Sequence, residues 1–316
     1  MVRDCECWAT DHPRFVARVS YHDDSSILLE GTYMERAFPA ALLEQAKRAG
    51  RLVLTLQMSP KGHAICEERG LNYMDAAGNC FISLDRAYIS EKGNRATGLR
   101  KRRGEQSVFE PTAHASSRIL RTLMQAPSRG YRMADLAEES GCSPAQAYKV
   151  ASFLRQNLLA ETRGGRLCIA NARHLLMEWG KVYKVRQRPK IALFSLDDLP
   201  AIEARLQKLS QSGKTRALLT GIAGGNRYAP TVRYNRLQLL CPEGETEELA
   251  MLLDCKPCSS GANVIVTPCA HDEYFMDARR IHGDAVVSPV QAYLDCMSSP
   301  ARGEEQALAI LRKEFP

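Results

Sequence analysis

The chain has 316 residues, 45% hydrophobic and 25% charged, which is about two domains' length with the balance of a chain that buries a real core; collagen-like, low-complexity and wholly disordered classes are excluded. No apolar run approaches about 18 residues, the N-terminus (MVRDCECWATDHPR) lacks the basic-then-apolar layout of a signal peptide, and eleven cysteines follow no framework spacing, so a cytoplasmic protein with no membrane partner is expected. The net charge of +7 is unevenly placed: residues 92–190 carry 20 Lys+Arg against 7 Asp+Glu, and the flanks 23 against 29. A basic centre between acidic flanks points to a polyanion site, although a solvated basic face would give the same count.

The first segment, residues 1–91, opens on alternating stretches at Phe15–Val19 and Ser26–Glu30 that predict strands. A helical pattern follows from Phe38 to Ala49, with Leu42, Leu43 and Ala46 on one face and Gly50 as its stop. Leu52–Leu56 is of strand type, Ser59-Pro60 starts a helix that runs to Gly70, and Leu71–Met74 and Cys80–Leu84 flank a turn at Ala76–Asn79. The alternation predicts a small α/β domain. Residues 92–112 are a polar, glycine-containing linker in which Arg100, Lys101, Arg102 and Arg103 are consecutive; beside a DNA-binding module such a run contacts phosphates.

Residues 113–175 carry the clearest pattern. Helices are predicted at Ser117–Gln125, Met133–Ser140 and Pro144–Asn157, with Gly141-Cys142-Ser143 as a tight turn and Ser143 and Pro144 as N-cap and first helical residue. On the third helix Ala147, Val150 or Ala151, Leu154 and Leu158 form one apolar stripe. A hairpin then pairs Leu159–Arg163 with Arg166–Ala170 across Gly164-Gly165. Helix, short helix, tight turn, longer helix and basic hairpin is the order of a winged helix-turn-helix. Residues 190–316 mix predicted strands (Ile191–Phe194, Leu237–Leu240, Asn263–Val266) with predicted helices (Leu199–Leu209, Glu247–Leu253, Ser288–Met297, Gly303–Lys313). The expected fold class is therefore α/β (α+β), a central winged helix-turn-helix between two α/β domains.

In that fold the third helix enters the major groove. Ser143, Gln146, Lys149 and Ser152, with Arg155 and Gln156 further along, are the candidate DNA contacts: Gln suits adenine, and Lys reaches guanine or phosphate. Arg163 and Arg166 flank the wing turn, where phosphate or the minor groove is in reach. Polar residues also belong on any exposed helix face, and the same fold serves protein–protein modules.

Other motifs are weaker. Cys255, Cys258, Cys269 and His271 have spacings that could close a tetrahedral zinc site, but Ala262–Thr267 between them reads as a core strand, and cysteine is often a small buried hydrophobe. Cys5, Cys7 and His12 lack a fourth ligand nearby. No metal and no cofactor is therefore expected. The glycine-rich Thr220–Arg227 lacks the Lys-Ser/Thr ending of a phosphate loop and the spacing of a dinucleotide fingerprint, and reads as a strand-to-helix turn. Asp75, Glu30, Glu35, Glu67 and Lys61 raise a metal-dependent nuclease, but Phe81-Ile82-Ser83-Leu84 stands where an acidic-x-Lys pair would be wanted. No catalytic residue is assigned.

Ala217–Gly221, Arg227–Pro230, Gly261–Val264, Pro268, Val287–Asp295 and Arg302–Glu305 occur in an order that resembles the C-terminal domain of the AbiEi family, antitoxins of type IV, abortive-infection systems. Gly70–Asn79 resembles a segment of related transcriptional regulators, and the first domain is similar to a degenerate restriction-endonuclease fold. The resemblance implies a repressor that recognises inverted repeats near its own operon and counteracts a nucleotidyltransferase-like toxin. The usual family order places the winged helix first, whereas here residues 1–112 precede it, and the cysteine pair at 255 and 258 is no family feature. The expected function is a sequence-specific regulator of double-stranded operator or promoter DNA, a homodimeric repressor with a toxin as its further partner. The alternative is a nuclease-like or nucleotidyl-transferring enzyme that the winged helix targets to DNA.

Overall fold

A computed structural model describes residues 2–9, 13–48, 50–94, 108–110, 112–183 and 189–316. The chain is of mixed α/β type and divides into two compact units: Met1–Glu105 with Ser152–Leu158, and Gln106–Ala151 with Leu159–Pro316.

The first unit is built on a seven-stranded sheet whose spatial order follows the chain: β1 (Val2–Ala9), β2 (Arg14–Tyr21), β3 (Ser26–Ala37), β4 (Arg51–Met58), β5 (Asn72–Asp75), β6 (Cys80–Leu84) and β7 (Ala87–Glu91). The pairings β3–β4 and β4–β5 are parallel and the others antiparallel. Each parallel step needs a crossover, which α1 (Pro39–Gln45) and α2 (Pro60–Glu68) supply. Ser59 caps α2, accepting a hydrogen bond from the Gly62 amide at 3.1 Å, and Pro60 occupies the first turn, where its missing N–H costs nothing. Successive residues of β4 point to opposite faces: Val53 joins Leu42, Met58, Cys66 and Tyr73 in one apolar cluster, while Leu52 joins Phe15, Ala17, Val19 and Leu29 in another. The sequence prediction for this region omitted the edge strands β1 and β7.

The second unit begins with α3 (His114–Gln125), α4 (Met133–Ser140) and α5 (Pro144–Gln156), whose residues from Ser152 onward group with the first unit, and continues with the hairpin β8 (Ala160–Arg163) and β9 (Arg166–Ile169) and with α6 (Ala172–Tyr183). The predicted short helix and hairpin match within a residue, and α3 starts three residues before the prediction. No sequence signal was assigned to α6, although it buries Leu175, Leu176, Trp179 and Tyr183. A second seven-stranded sheet follows, with spatial order β13 (Lys256–Pro257), β10 (Ile191–Phe194), β14 (Val264–Cys269), β12 (Leu237–Pro242), β11 (Leu218–Leu219), β16 (Asp284–Val286) and β15 (Arg279–Ile281). Its helices are α7 (Leu199–Gln211), α8 (Gly221–Tyr228), α9 (Thr246–Leu252), α10 (Pro289–Met297) and α11 (Gly303–Glu314). Asp198 caps α7 through the Ala201 amide at 2.9 Å, and Ser288 caps α10 through the Gln291 amide at 3.1 Å.

The glycine-rich stretch is the clearest departure from expectation. It is not a turn but helix α8 itself, although each glycine inside a helix costs about 1 kcal/mol relative to alanine. Close packing explains the residue choice. A Cβ on Gly224 would lie 2.6 Å from the Leu219 carbonyl oxygen, and one on Gly225 would lie 2.9 Å from Gln306 Cγ. The Gln238 carboxamide fills the space over Gly221 and accepts the Ile222 amide at 2.8 Å. Gly224→Ala should therefore destabilise the protein by about 1–3 kcal/mol despite alanine's better helix propensity, because backbone must move; a lowered urea midpoint at unchanged slope would show it.

Candidate nucleic-acid interface

Helix α4 ends on Gly141, at φ +63°, and its N–H closes on the Glu138 carbonyl. Ser143 then starts α5, its Oγ accepting from the Gln146 amide at 3.3 Å. The face of α5 that carries Ala147, Val150, Ala151 and Leu154 is at most 1% exposed. Both Val150 and Ala151 are buried, so the alternative left open by the sequence resolves into a wider stripe; Leu158 lies past the helix end at φ +58°. The opposite face repeats at helical spacing through Ala145, Tyr148, Lys149, Arg155 and Gln156, all exposed, with Ser152 half-buried among them.

Gln146 does not share that face. Its carboxamide nitrogen donates to Ser116 Oγ at 3.0 Å and ties α5 to α3. Tyr148, 58% exposed, was missed by the sequence reading; its signal was position, one residue from Lys149 and one turn beyond Ala145. Arg118, also missed, donates from Nε to the Ser140 carbonyl at 2.8 Å and steadies the end of α4.

In the hairpin Arg163 and Arg166 are paired residues on either side of the turn. Gly164 and Gly165 have φ of +54° and +72°, which a two-residue turn matched to strand twist requires and which glycine adopts without strain. A single antiparallel bridge between Tyr131 and Leu167 ties the two-stranded hairpin to the segment before α4. Arg163 is exposed and pairs with Glu161; Arg166, also exposed, donates from Nη1 to the Gly130 carbonyl at 3.2 Å. Residues Arg100, Lys101, Arg102 and Arg103 lie outside the described residues.

Helix α3 is fastened to the rest of its unit by a buried cation. Arg121 on α3 is 2% exposed. Its Nη2 donates to Gln291 Oε1 at 2.5 Å and its Nε to Ser117 Oγ at 3.2 Å, and its guanidinium carbon lies 5.4 Å from the Trp179 ring centroid and 5.6 Å from that of Tyr274. Burial pulls its pKa down, while Tyr183, Tyr274, Glu273 and Asp295 push it back up. The chain of bonds continues: Gln291 Nε2 to Tyr183 OH at 3.0 Å, Tyr183 OH to Asp295 Oδ1 at 3.3 Å, and Thr220 Oγ1 to Asp295 Oδ2 at 2.6 Å. Gln291→Leu should cost about 1.5–3 kcal/mol, the range for a hydrogen bond to a charged group, read as a shift of the denaturation midpoint.

The remaining sequence candidates separate. Cys255 is buried and donates from Sγ to the Leu253 carbonyl at 3.5 Å, and burial pushes its thiol pKa up; Cys269 Sγ faces the Thr267 carbonyl at 3.7 Å. With Cys258 and His271 they do not form a ligand group among the described residues; His271 instead groups with His114 and Glu273. In the first unit Asp75 accepts from the Ala77 and Asn79 amides at 3.0 and 2.9 Å and from Asn79 Nδ2 at 2.9 Å, closing its own turn. Glu67 pairs with Lys92 and Glu30 with Arg51. No helix of the described residues is long and apolar enough to cross a membrane.

Residues 166–315, just under half of the chain, match the family described as transcriptional regulator, AbiEi antitoxin, of type IV toxin–antitoxin systems. The match runs from β9 through α11 and bears out the resemblance read from the sequence. No curated protein and no solved structure matches the chain.

Proposed function

We propose that this protein is a sequence-specific, double-stranded-DNA-binding transcriptional repressor and the antitoxin of a type IV toxin–antitoxin pair. Residues 113–175 act as a winged helix-turn-helix, the 1–91 and 190–316 domains flank it, and the basic linker of residues 92–112 adds phosphate contacts through Arg100, Lys101, Arg102 and Arg103. The observation that carries this reading is the two-faced α5, with a fully buried apolar stripe opposite a face of exposed Tyr148, Lys149 and Arg155 and half-buried Ser152. The surplus of basic residues in the surrounding segment and the family match support it.

In the proposed mechanism α5 lies in the major groove, where Lys149 and Ser152 reach base edges and Tyr148 offers an apolar contact to thymine methyl groups. Arg163 and Arg166 bracket the wing tip and contact phosphate or the minor groove. The protein acts as a homodimer on an inverted repeat, as two-fold operators require of helix-turn-helix proteins. The C-terminal domain bears the surface for a toxin; co-purification with the product of a neighbouring gene, lost when residues 190–316 are removed, would establish it.

The test of DNA recognition is an anisotropy titration with labelled upstream promoter DNA and a scrambled duplex across a salt series. A preference of about a thousandfold or more for the promoter is expected; equal, steeply salt-dependent binding to both duplexes would reduce the site to a nonspecific basic surface. Lys149→Ala and Arg166→Ala should each weaken promoter binding by about 1–3 kcal/mol, or, for a phosphate contact alone, lower the salt slope by about one. Unchanged affinity and slope in both would show that α5 and the wing do not face DNA.

A further inference from the structure

His114 is the first residue of α3, and His271 and Glu273 lie where β14 runs out into the 3-10 turn Asp272–Phe275. Fold brings them together: the two imidazole rings stack with centroids 3.5 Å apart, and His114 Nδ1 is 2.6 Å from Glu273 Oε1. One ligand atom from each of the three residues falls within 4.8 Å of the others, and no further group of three or more His, Cys, Asp or Glu does so among the described residues. From these contacts we infer that His114, His271 and Glu273 form a binding site for a divalent transition-metal ion of the zinc type.

The chemistry of the set selects the ion. Two imidazoles and one carboxylate suit zinc, cobalt, nickel or copper, whereas magnesium and calcium require oxygen ligands throughout. Three protein ligands leave a fourth, open position. Glu273 is 2% exposed while His271 is exposed, so a desolvated carboxylate forms the floor and solvent supplies both the entry path and the fourth ligand. Ligands at about 2.0–2.2 Å from a tetrahedral ion stand about 3.3 Å apart. The His114–Glu273 pair, 2.6 Å apart, must therefore open by about 0.7 Å and His271 must swing inward, which an exposed imidazole does by side-chain rotation. The ligands come from both sides of the contact between α3 and the turn after β14, so a bound ion would clamp the first helix of the DNA-binding module to the family-matched domain. The site stands on its own geometry and does not depend on the DNA-binding reading.

The test is a cobalt(II) titration of the full-length, chelator-treated protein followed by visible absorption, with zinc displacement and thermal melting in parallel. Expected are saturation at one equivalent, ligand-field bands without thiolate-to-cobalt charge transfer, displacement by zinc, and a melting temperature raised by zinc. His271→Ala and His114→Gln should weaken binding at least about tenfold and abolish the zinc-dependent rise, with the metal-free circular dichroism unchanged for His271→Ala. No saturable binding by the wild type, a charge-transfer band that reports cysteine ligands, or binding retained in both variants would overturn the site.

Discussion

A single buried guanidinium sets the placement of the helices that carry the candidate interface. Arg121 leaves water entirely, which is tolerated only when its donors and its charge find partners. Its Nη2, Nε and charge find them on Gln291 of α10, Ser117 of its own helix and the rings of Trp179 of α6 and Tyr274 of the turn after β14, and its Nη1 alone is buried without a hydrogen-bond partner. Rotation of α3 away from these groups would leave a buried charge facing apolar rings and an unpaired carboxamide. The bond chain from Gln291 through Tyr183 and Asp295 to Thr220 extends the same constraint to the start of α8.

That constraint explains two choices that look wasteful in isolation. Helix α8 spends three glycines in eight residues, and the close approach of Gly224 to the Leu219 carbonyl shows why larger residues do not fit. Gln291, fully buried, would be a costly core residue if its amide had no partner, but here its carbonyl meets a cation and its nitrogen a phenol. From Gln291 to Thr220 each of these polar side chains thus has a hydrogen-bond partner, while Arg121 Nη1 is left without one. Both features fall within residues 166–315, the region of the family match, whereas Arg121 itself lies outside it.

Local chemistry made much of the fold legible in the sequence. Ser59-Pro60, Ser143-Pro144 and Ser288-Pro289 announce helix starts through a side-chain cap and a proline where no N–H is needed, and Gly164-Gly165 announces the hairpin. What stayed hidden depends on distant partners. The edge strands β1 and β7 lack strong patterning because pairing with β2 and β6 defines them. Helix α6 has an amphipathic face, Leu175, Leu176 and Trp179, and a cap in Asn171, whose Oδ1 accepts the His174 amide at 2.8 Å, a start signal that the sequence reading passed over so close behind the hairpin. A glycine-rich helix contradicts propensity until its neighbours are known. For the candidate interface, residue type pointed to Gln146, while helical phase placed it against Ser116 and brought Tyr148 to the surface instead. The cysteine spacing suggested a zinc set, yet the histidine from that motif meets partners that sequence separation concealed, His114 being 157 residues away from His271 in the chain.

A helix module held rigidly by its first helix can present α5 and the hairpin to DNA with little reorganisation, the condition under which binding energy goes into recognition rather than ordering. Amide hydrogen exchange of the full chain with and without its promoter duplex tests this most directly. Slowed exchange concentrated in Pro144–Gln156 and in the hairpin between Ala160 and Ile169, with α3 already protected in the free protein, is the predicted result. Protection confined to residues 1–91 or 190–316, with α5 and the hairpin unchanged, would contradict it and place the nucleic-acid contact elsewhere.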